Sequence, residues 1–356
     1  MVASQLVSDG SWRIERRLRY DRDHRVIDGI PQFGFHVDRD VFVVEYQQGY
    51  IGLIRHDQVR WTAGARDPGL AQRHVQVPLE EPRFVGRAEA SGLALATDAG
   101  RVWRIDIERA EFEVVAVASD LGLVDPGNAV WLADSGIWIN DIVGHQLLRL
   151  TATGDVAQRI GDGTAGFQTE TVGFAQARFG NIYDLRAGPD GRLYVLDSTN
   201  YAVRVVDPRA QRVETICGDG RPGWRGDGGP AVQARLGGDP GADFDGPWSL
   251  VVDDRGDLYI GDTHNHAVRR IDAATAHIST IAHPGMSGTT DQNGADGRAD
   301  AASLDGEPFA LICGMDFDTV NHRLLIPDWV SDEADELVVL APTRSYRDES
   351  LQPPQE

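Results

Sequence analysis

Two stretches of this chain are copies of one another, and that repetition constrains the fold more than any other feature. One copy runs Gly191-Arg192-Leu193-Tyr194-Val195-Leu196-Asp197-Ser198-Thr199-Asn200-Tyr201-Ala202-Val203-Arg204. The other runs Gly256-Asp257-Leu258-Tyr259-Ile260-Gly261-Asp262-Thr263-His264-Asn265-His266-Ala267-Val268-Arg269. Their central aspartates, Asp197 and Asp262, lie 65 residues apart. Self-similarity at a long fixed period confines a chain to architectures that stack one supersecondary unit on the next. Weaker copies end at Glu45, Asp98, Asp141 and Asp328, each after a short apolar run such as Ile137-Trp138-Ile139-Asn140 or Leu324-Leu325-Ile326-Pro327. Six copies therefore carry six acidic markers.

Each copy reads as strands. An apolar run precedes a turn such as Gly188-Pro189-Asp190-Gly191 or Asp253-Asp254-Arg255-Gly256, and a second apolar run ends at the marker. A third run carries Val203-Arg204-Val205, and a fourth is Val213-Glu214-Thr215-Ile216. Four short antiparallel strands per repeat make a propeller blade. The expected fold is all-β: a single β-propeller of six blades with four antiparallel strands each. The last repeat lacks a fourth strand, and residues 12–18 have the pattern to supply it from the N-terminal end. Pairing the two ends would remove an exposed sheet edge. The division is then 1–20 as a segment completing the last blade, 21–345 as the propeller and 346–356 as a polar tail.

Formal net charge is −21. That excludes nucleic acid as a partner, since such binding neutralises phosphates with basic residues. It disfavours an anionic membrane surface, and no apolar run reaches membrane-spanning length. The first residues lack the basic and apolar regions of a secretory signal, so a cytoplasmic location is expected. Every basic residue is Arg. An Arg-only set suggests a bacterial host rich in G and C, and it removes lysine Schiff bases and lysine general bases from consideration. Two cysteines, Cys217 and Cys313, cannot build a disulfide scaffold or a four-thiolate zinc site. No nucleotide-binding fingerprint and no Gly-x-Ser-x-Gly elbow is present, so no nucleotide cofactor is expected.

At these residues the chain resembles the NHL repeat family. The connector Gly218-Asp219-Gly220-Arg221-Pro222-Gly223-Trp224-Arg225-Gly226-Asp227-Gly228-Gly229-Pro230-Ala231 is followed by Pro247-Trp248-Ser249-Leu250-Val251-Val252-Asp253 and by the second copy above. The resemblance is specific over residues 160–285. It implies a propeller, and it implies several activities rather than one. Such propellers serve as protein-binding platforms, as lyases such as the peptide-amidating lyase, and as metal-dependent hydrolases in the gluconolactonase-like group. The lyase's axial histidines are not evident among His36, His145 and His322. The hydrolase's set of one Glu, two Asn and one Asp is met only by Asn128, Asp184 and Asn181.

Propeller ligands bind where inner strands converge on the axis. Counting back from the markers places Phe33, Phe84, Asn128, Tyr183, Trp248 and Phe309 in a ring at the start of the inner strands. Such a ring either receives a planar, apolar or cationic ligand or plugs the channel. The following position is small in most copies but is Asp184 in one. That carboxylate reads as a general base or metal ligand, or as the acceptor of a local backbone hydrogen bond. The connectors before two inner strands are acidic and bring Asp245 and Glu307 to the same mouth. A divalent cation, calcium or zinc, would take Asn128, Asn181 and Asp184. The repeated markers read as structural, and His264 and His266 as part of the repeat rather than a metal pair. Two functions remain. One is a small-molecule binder or enzyme performing a lyase, isomerase or hydrolase step, with Asp184 catalytic and a cationic or aromatic ligand. The other is a protein-interaction platform without catalysis.

Overall fold

The computed structural model describes residues 12–21, 33–37, 40–46, 49–55, 58–69, 71, 73–238, 246–283, 302–303, 309, 312, 314–319, 322–331 and 334–342. Six small sheets are arranged as a six-bladed β-propeller. The inner strands of blades I to VI are Phe33–Val37, Phe84–Arg87, Pro126–Leu132, Ile182–Ala187, Ser249–Val252 and Asp316–Asp318. Each pairs antiparallel with the next strand in sequence, and blades I to V continue outward through two more.

Blade VI closes as the sequence pattern requires. Its outer strand is Trp12–Asp21, antiparallel to Ala334–Pro342, with Trp12 opposite Pro342 and Asp21 opposite Ala334. First and last strands thus share one ladder, and the ring has no free start. Blades I, IV and V gain a short fifth strand from a connector: His74–Gln76, Val172–Gly173 and Ala302–Ser303.

Exposed side chains concentrate on outer strands such as Glu111–Val117 and Val156–Ile160. The second strands Leu193–Asp197 and Leu258–Asp262 are buried throughout, as strands covered by a blade on each face must be. The core is therefore a series of inter-blade layers. Trp61, Trp103 and Phe112 meet edge to face between blades I and II. Tyr259 stacks on Phe317 between V and VI at 5.5 Å.

The markers Asp197 and Asp262 are buried within their own blades. Asp197 accepts from the Gly180 N–H at 2.7 Å, from Asn200 and from Arg204, and Asp262 accepts likewise from Gly237, Asn265 and Arg269. Each therefore ties a connector to its own blade. The Arg204 and Arg269 guanidiniums are fully buried behind them. Phe167 and Phe179 flank Arg204 at 5.6 and 5.7 Å, and Trp224 covers Arg269 at 5.0 Å. A desolvated guanidinium over a ring face recovers part of its lost hydration. Just past the markers, His145 and His266 adopt left-handed backbone. Their Nδ1 atoms lie 2.9 and 2.8 Å from the Gly180 and Phe309 carbonyls, which latches each blade to its successor.

Candidate functional site

All inner strands run the same way, so the channel has two mouths. At one, the marker face, the inner strands begin beside the acidic markers. At the other, the turn face, they end in turns such as 188–191.

Pairing with the second strand sets the depth of each axial residue. Phe33, Phe84, Asp184 and Ser249 lie opposite the residue just before their markers: Val44, Thr97, Leu196 and Gly261. Asn128 reaches the same level through its N–H, 2.8 Å from Asn140 Oδ1. This corrects the ring expected from sequence. Phe33, Phe84 and Asn128 share the level of Asp184, while Tyr183 and Trp248 sit one residue nearer the marker face. The turns differ in length, residues 88–93 in blade II against 188–192 in blade IV, which equal spacing cannot show, and pairing is also irregular between Ile182 and Asp184 and between Pro126 and Ala129. Phe309 is not on an inner strand at all. It is buried in the connector seven residues before Asp316, packed in the apolar layer between blades V and VI. Asp245 and Glu307 lie outside the described residues.

Asp184 is almost fully buried and accepts five hydrogen bonds. Its Oδ1 receives Asn128 Nδ2 from blade III, the Leu185 N–H at 2.8 Å and Arg186 Nε at 2.9 Å. Its Oδ2 receives the Leu250 N–H of blade V at 2.8 Å and Arg186 Nη2 at 3.1 Å. Two carboxylate oxygens offer about four lone-pair sites, so both are fully engaged. These contacts equip Asp184 to bind N–H groups, not to take a substrate proton or ligate a cation, the roles expected for it. Asn128 spends its amide on the same carboxylate, and the N–H of Asn181 goes to Thr199 Oγ1 at 2.7 Å. No cluster of three or more His, Cys, Asp or Glu fit for a metal ion occurs among the described residues.

Arg186 was not singled out by sequence reasoning. It lies two residues deeper, opposite Tyr194, level with Gly86 of blade II, Val130 of III, Val251 of V and Asp316 of VI. From there it crosses the channel. Its Nη2 donates to the Met315 carbonyl of blade VI at 3.1 Å, its Nη1 stands 3.8 Å from Asp316 Oδ1, and its guanidinium lies 5.3 Å from the centre of the Phe84 ring of blade II. Gly86 makes room: a Cβ there would stand 2.5 Å from the Phe84 ring. Asp184 and Arg186 together touch five blades. Burial pushes the Asp184 carboxyl up from its ordinary value, opposed by Arg186 and by the Leu250 and Leu185 N–H groups. Burial works to lower Arg186, but Asp184 and Asp316 outweigh it and leave it raised. The available signal was the i, i+2 spacing of Asp184 and Arg186, which puts two opposite charges on one face of an otherwise apolar strand.

Below this pair opens a cavity of about 720 Å³ on the turn face, opposite the mouth expected from sequence. Phe84 and Arg186 form its floor, with Asp316 beside them. Val85, Val130, Trp131, Ala187, Val251 and Phe317 contribute apolar and aromatic wall, and Asp134, Asp190 and Asp254 stand around the opening with Arg87 and Arg209. Over the whole lining, five aspartates face three arginines. On the marker face, Trp248 meets Tyr183 at 6.3 Å and His264 at 6.1 Å, both edge to face, all three half-buried.

Six blades closed by the N-terminal strand around an axial cavity define a single six-bladed β-propeller. The NHL repeat model matches residues 244–271, a stretch that runs through the inner strands of blade V. The chain is 34% identical over 92 residues to Protein SUPPRESSOR OF QUENCHING 1, chloroplastic, of Arabidopsis thaliana, a match covering 26% of this chain and 8% of that protein. It is 30% identical over 90 residues to NHL repeat-containing protein 2 of Homo sapiens, covering 25% and 11%. The matched segment thus spans about a tenth or less of these relatives. Among solved structures, virginiamycin B lyase from Staphylococcus aureus aligns over 92% of this chain and 99% of its own, with TM-score 0.51 and 11% identity. A luciferin-regenerating enzyme aligns over 93% and 97%, with TM-score 0.56 and 10% identity. At these identities the likeness is one of fold.

Proposed function

We propose that this propeller binds a cationic small molecule in the axial cavity on the turn face. The observation that carries the reading is the cavity itself: a space of about 720 Å³ with apolar and aromatic walls and an excess of aspartate over arginine. Concave, mostly apolar sites with a few placed polar groups are where small ligands bind. Carboxylates around a low-dielectric opening raise the local concentration of cations. The half-buried Trp131 ring in the wall favours the same charge. Where turnover accompanies binding, a lyase or hydrolase step falls to a carboxylate at the opening such as Asp254, because Asp184 is engaged by five donors.

The test is a titration of the purified protein with n-alkylamines and their neutral alcohol analogues, followed by calorimetry. Saturable amine binding that weakens several-fold in Asp254→Asn supports the reading. Equal response to amines and alcohols, or none to either, removes it.

A second reading is a protein-interaction platform. It is favoured by the half-buried Tyr183, Trp248 and His264 grouped on the marker face, and by Val124 and Val143, exposed beside the marker Asp141. A stable partner from lysate that is lost on Trp248→Ala, with no amine binding, would put this reading first.

A further inference from the structure

Resting on the cation-binding reading, we infer that the ligand is an amino alcohol: an ammonium at the mouth and a hydroxyl seated on the floor. The floor presents two opposite charges at the same level on blades IV and VI. Arg186 Nη1 and Asp316 Oδ1 stand 3.8 Å apart, wider than a hydrogen bond, and both residues line the cavity. A single hydroxyl oxygen between them can accept from the guanidinium and donate to the carboxylate, since both legs fit at ordinary O···N and O···O lengths. The guanidinium is held from behind. Arg186 is fixed by Asp184 on two nitrogens and by the Met315 carbonyl, and Phe84 covers its face. Such preorganisation lets a neutral hydroxyl collect two charge-assisted hydrogen bonds at little ordering cost.

An ammonium is a poor occupant of the same spot. It would gain Asp316 but would lie within a few ångströms of the Arg186 guanidinium, and like charges repel strongly at that range in a site of low dielectric. Its place is nearer the opening at Asp254, since Asp134 pairs with Arg209 at 3.1 Å and Asp190 with Arg192 at 2.6 Å. The body between the two ends then lies along Trp131, Val130 and Val251. The ligand class is set by this order of charges along the axis: a donor–acceptor pair deep, acidic groups shallow, apolar wall between.

The experiment measures dissociation constants by ligand-observed NMR for 3-amino-1-propanol through 6-amino-1-hexanol, with the matching n-alkylamines and n-alkanols as controls. On the parent protein the best amino alcohol is expected to bind about tenfold tighter than the amine of equal length, the worth of one or two net hydrogen bonds. In Asp316→Leu that advantage is expected to vanish, amine and amino alcohol of equal length then binding alike and each more weakly than to the parent. Should Asp316→Leu not fold, the comparison on the parent alone decides. Amines and amino alcohols binding equally on the parent would overturn the hydroxyl assignment and leave the cation-binding reading standing. Failure of every amine and amino alcohol to bind would overturn both.

Discussion

At the level of single residues, the most informative fact is that the odd carboxylate on the axis is a staple. The sequence marks Asp184 as anomalous, because its position is small in other copies. It does not mark the use, because the partners come from blades III and V and are distant in the chain. Asp184→Ala would strand the Arg186 guanidinium in the channel, and removing one member of a buried pair costs about 3–5 kcal/mol. Replacing both with apolar groups, as in Asp184→Ala/Arg186→Leu, should restore part of that loss. Urea unfolding of the three proteins measures it; an Asp184→Ala protein as stable as the parent would return Asp184 to the status of a free acid–base group. A second residue-level prediction concerns Asp197. Burial raises its carboxyl from 3.8 to about 6, opposed by Arg204, Asn200 and the Gly180 N–H. Between those values the folded chain holds a proton that the unfolded chain has released, so this group favours folding at low pH and loses that contribution as pH rises through 6. The stability deficit of Asp197→Asn relative to the parent should therefore be larger at pH 4 than at pH 7, changing by at most about 1.4 kcal/mol per pH unit. Unfolding curves at the two pH values check the sign.

At the level of strands and connectors, length decides which edges are covered. The connectors around residues 65–83 and 161–181 are long enough to lay a fifth strand on blades I and IV. The connector from blade II to blade III is only residues 118–125, which form one helical turn and a bend, so the outer strand Glu111–Val117 keeps an open edge. That strand bears exposed Val114 and Val117, and irregular pairing at Val115 breaks its regularity, a common guard against stray pairing. The strand pattern was readable from apolar runs and turn residues, including the closing role of the N-terminal segment. The irregularities were not, since a bulge adds a residue without changing the composition around it. Turn length misplaces Phe84: the turn 88–93 is one residue longer than 188–192, so an equal count back from the marker sets Phe84 a level too near the marker face. The closing strand gives the prediction at this scale. Deleting residues 1–21 leaves the Ala334–Pro342 edge unpaired, and a loss of several kcal/mol at about 2–4 °C each should lower Tm by roughly 10 °C. An unchanged Tm by calorimetry would mean the ring does not depend on that ladder.

For the whole molecule, the cavity's position could not be read in advance, because it depends on which side of the axial plug is left open. The plug is made by residues that alternate charge and bulk across blades, Phe84 from II, Asp184 and Arg186 from IV, and no one repeat contains it. What the sequence does state about the whole is its charge of −21. That charge acts on two properties in opposite directions. Compacting so many like charges costs stability through self-repulsion, and salt relieves it, so Tm should rise by a few degrees between about 0.01 and 0.5 M NaCl, as the Debye length shrinks from about 30 to a few ångströms. The same screening weakens the pull of Asp134, Asp190 and Asp254 on a cation at the mouth. Amine affinity should therefore fall over the range in which Tm rises. Both are measured on one sample series, by calorimetry and by titration. A Tm that rises while affinity stays flat would mean that the apolar walls, not the acidic opening, hold the ligand. The charge excess around the cavity would then be part of the protein's general surface.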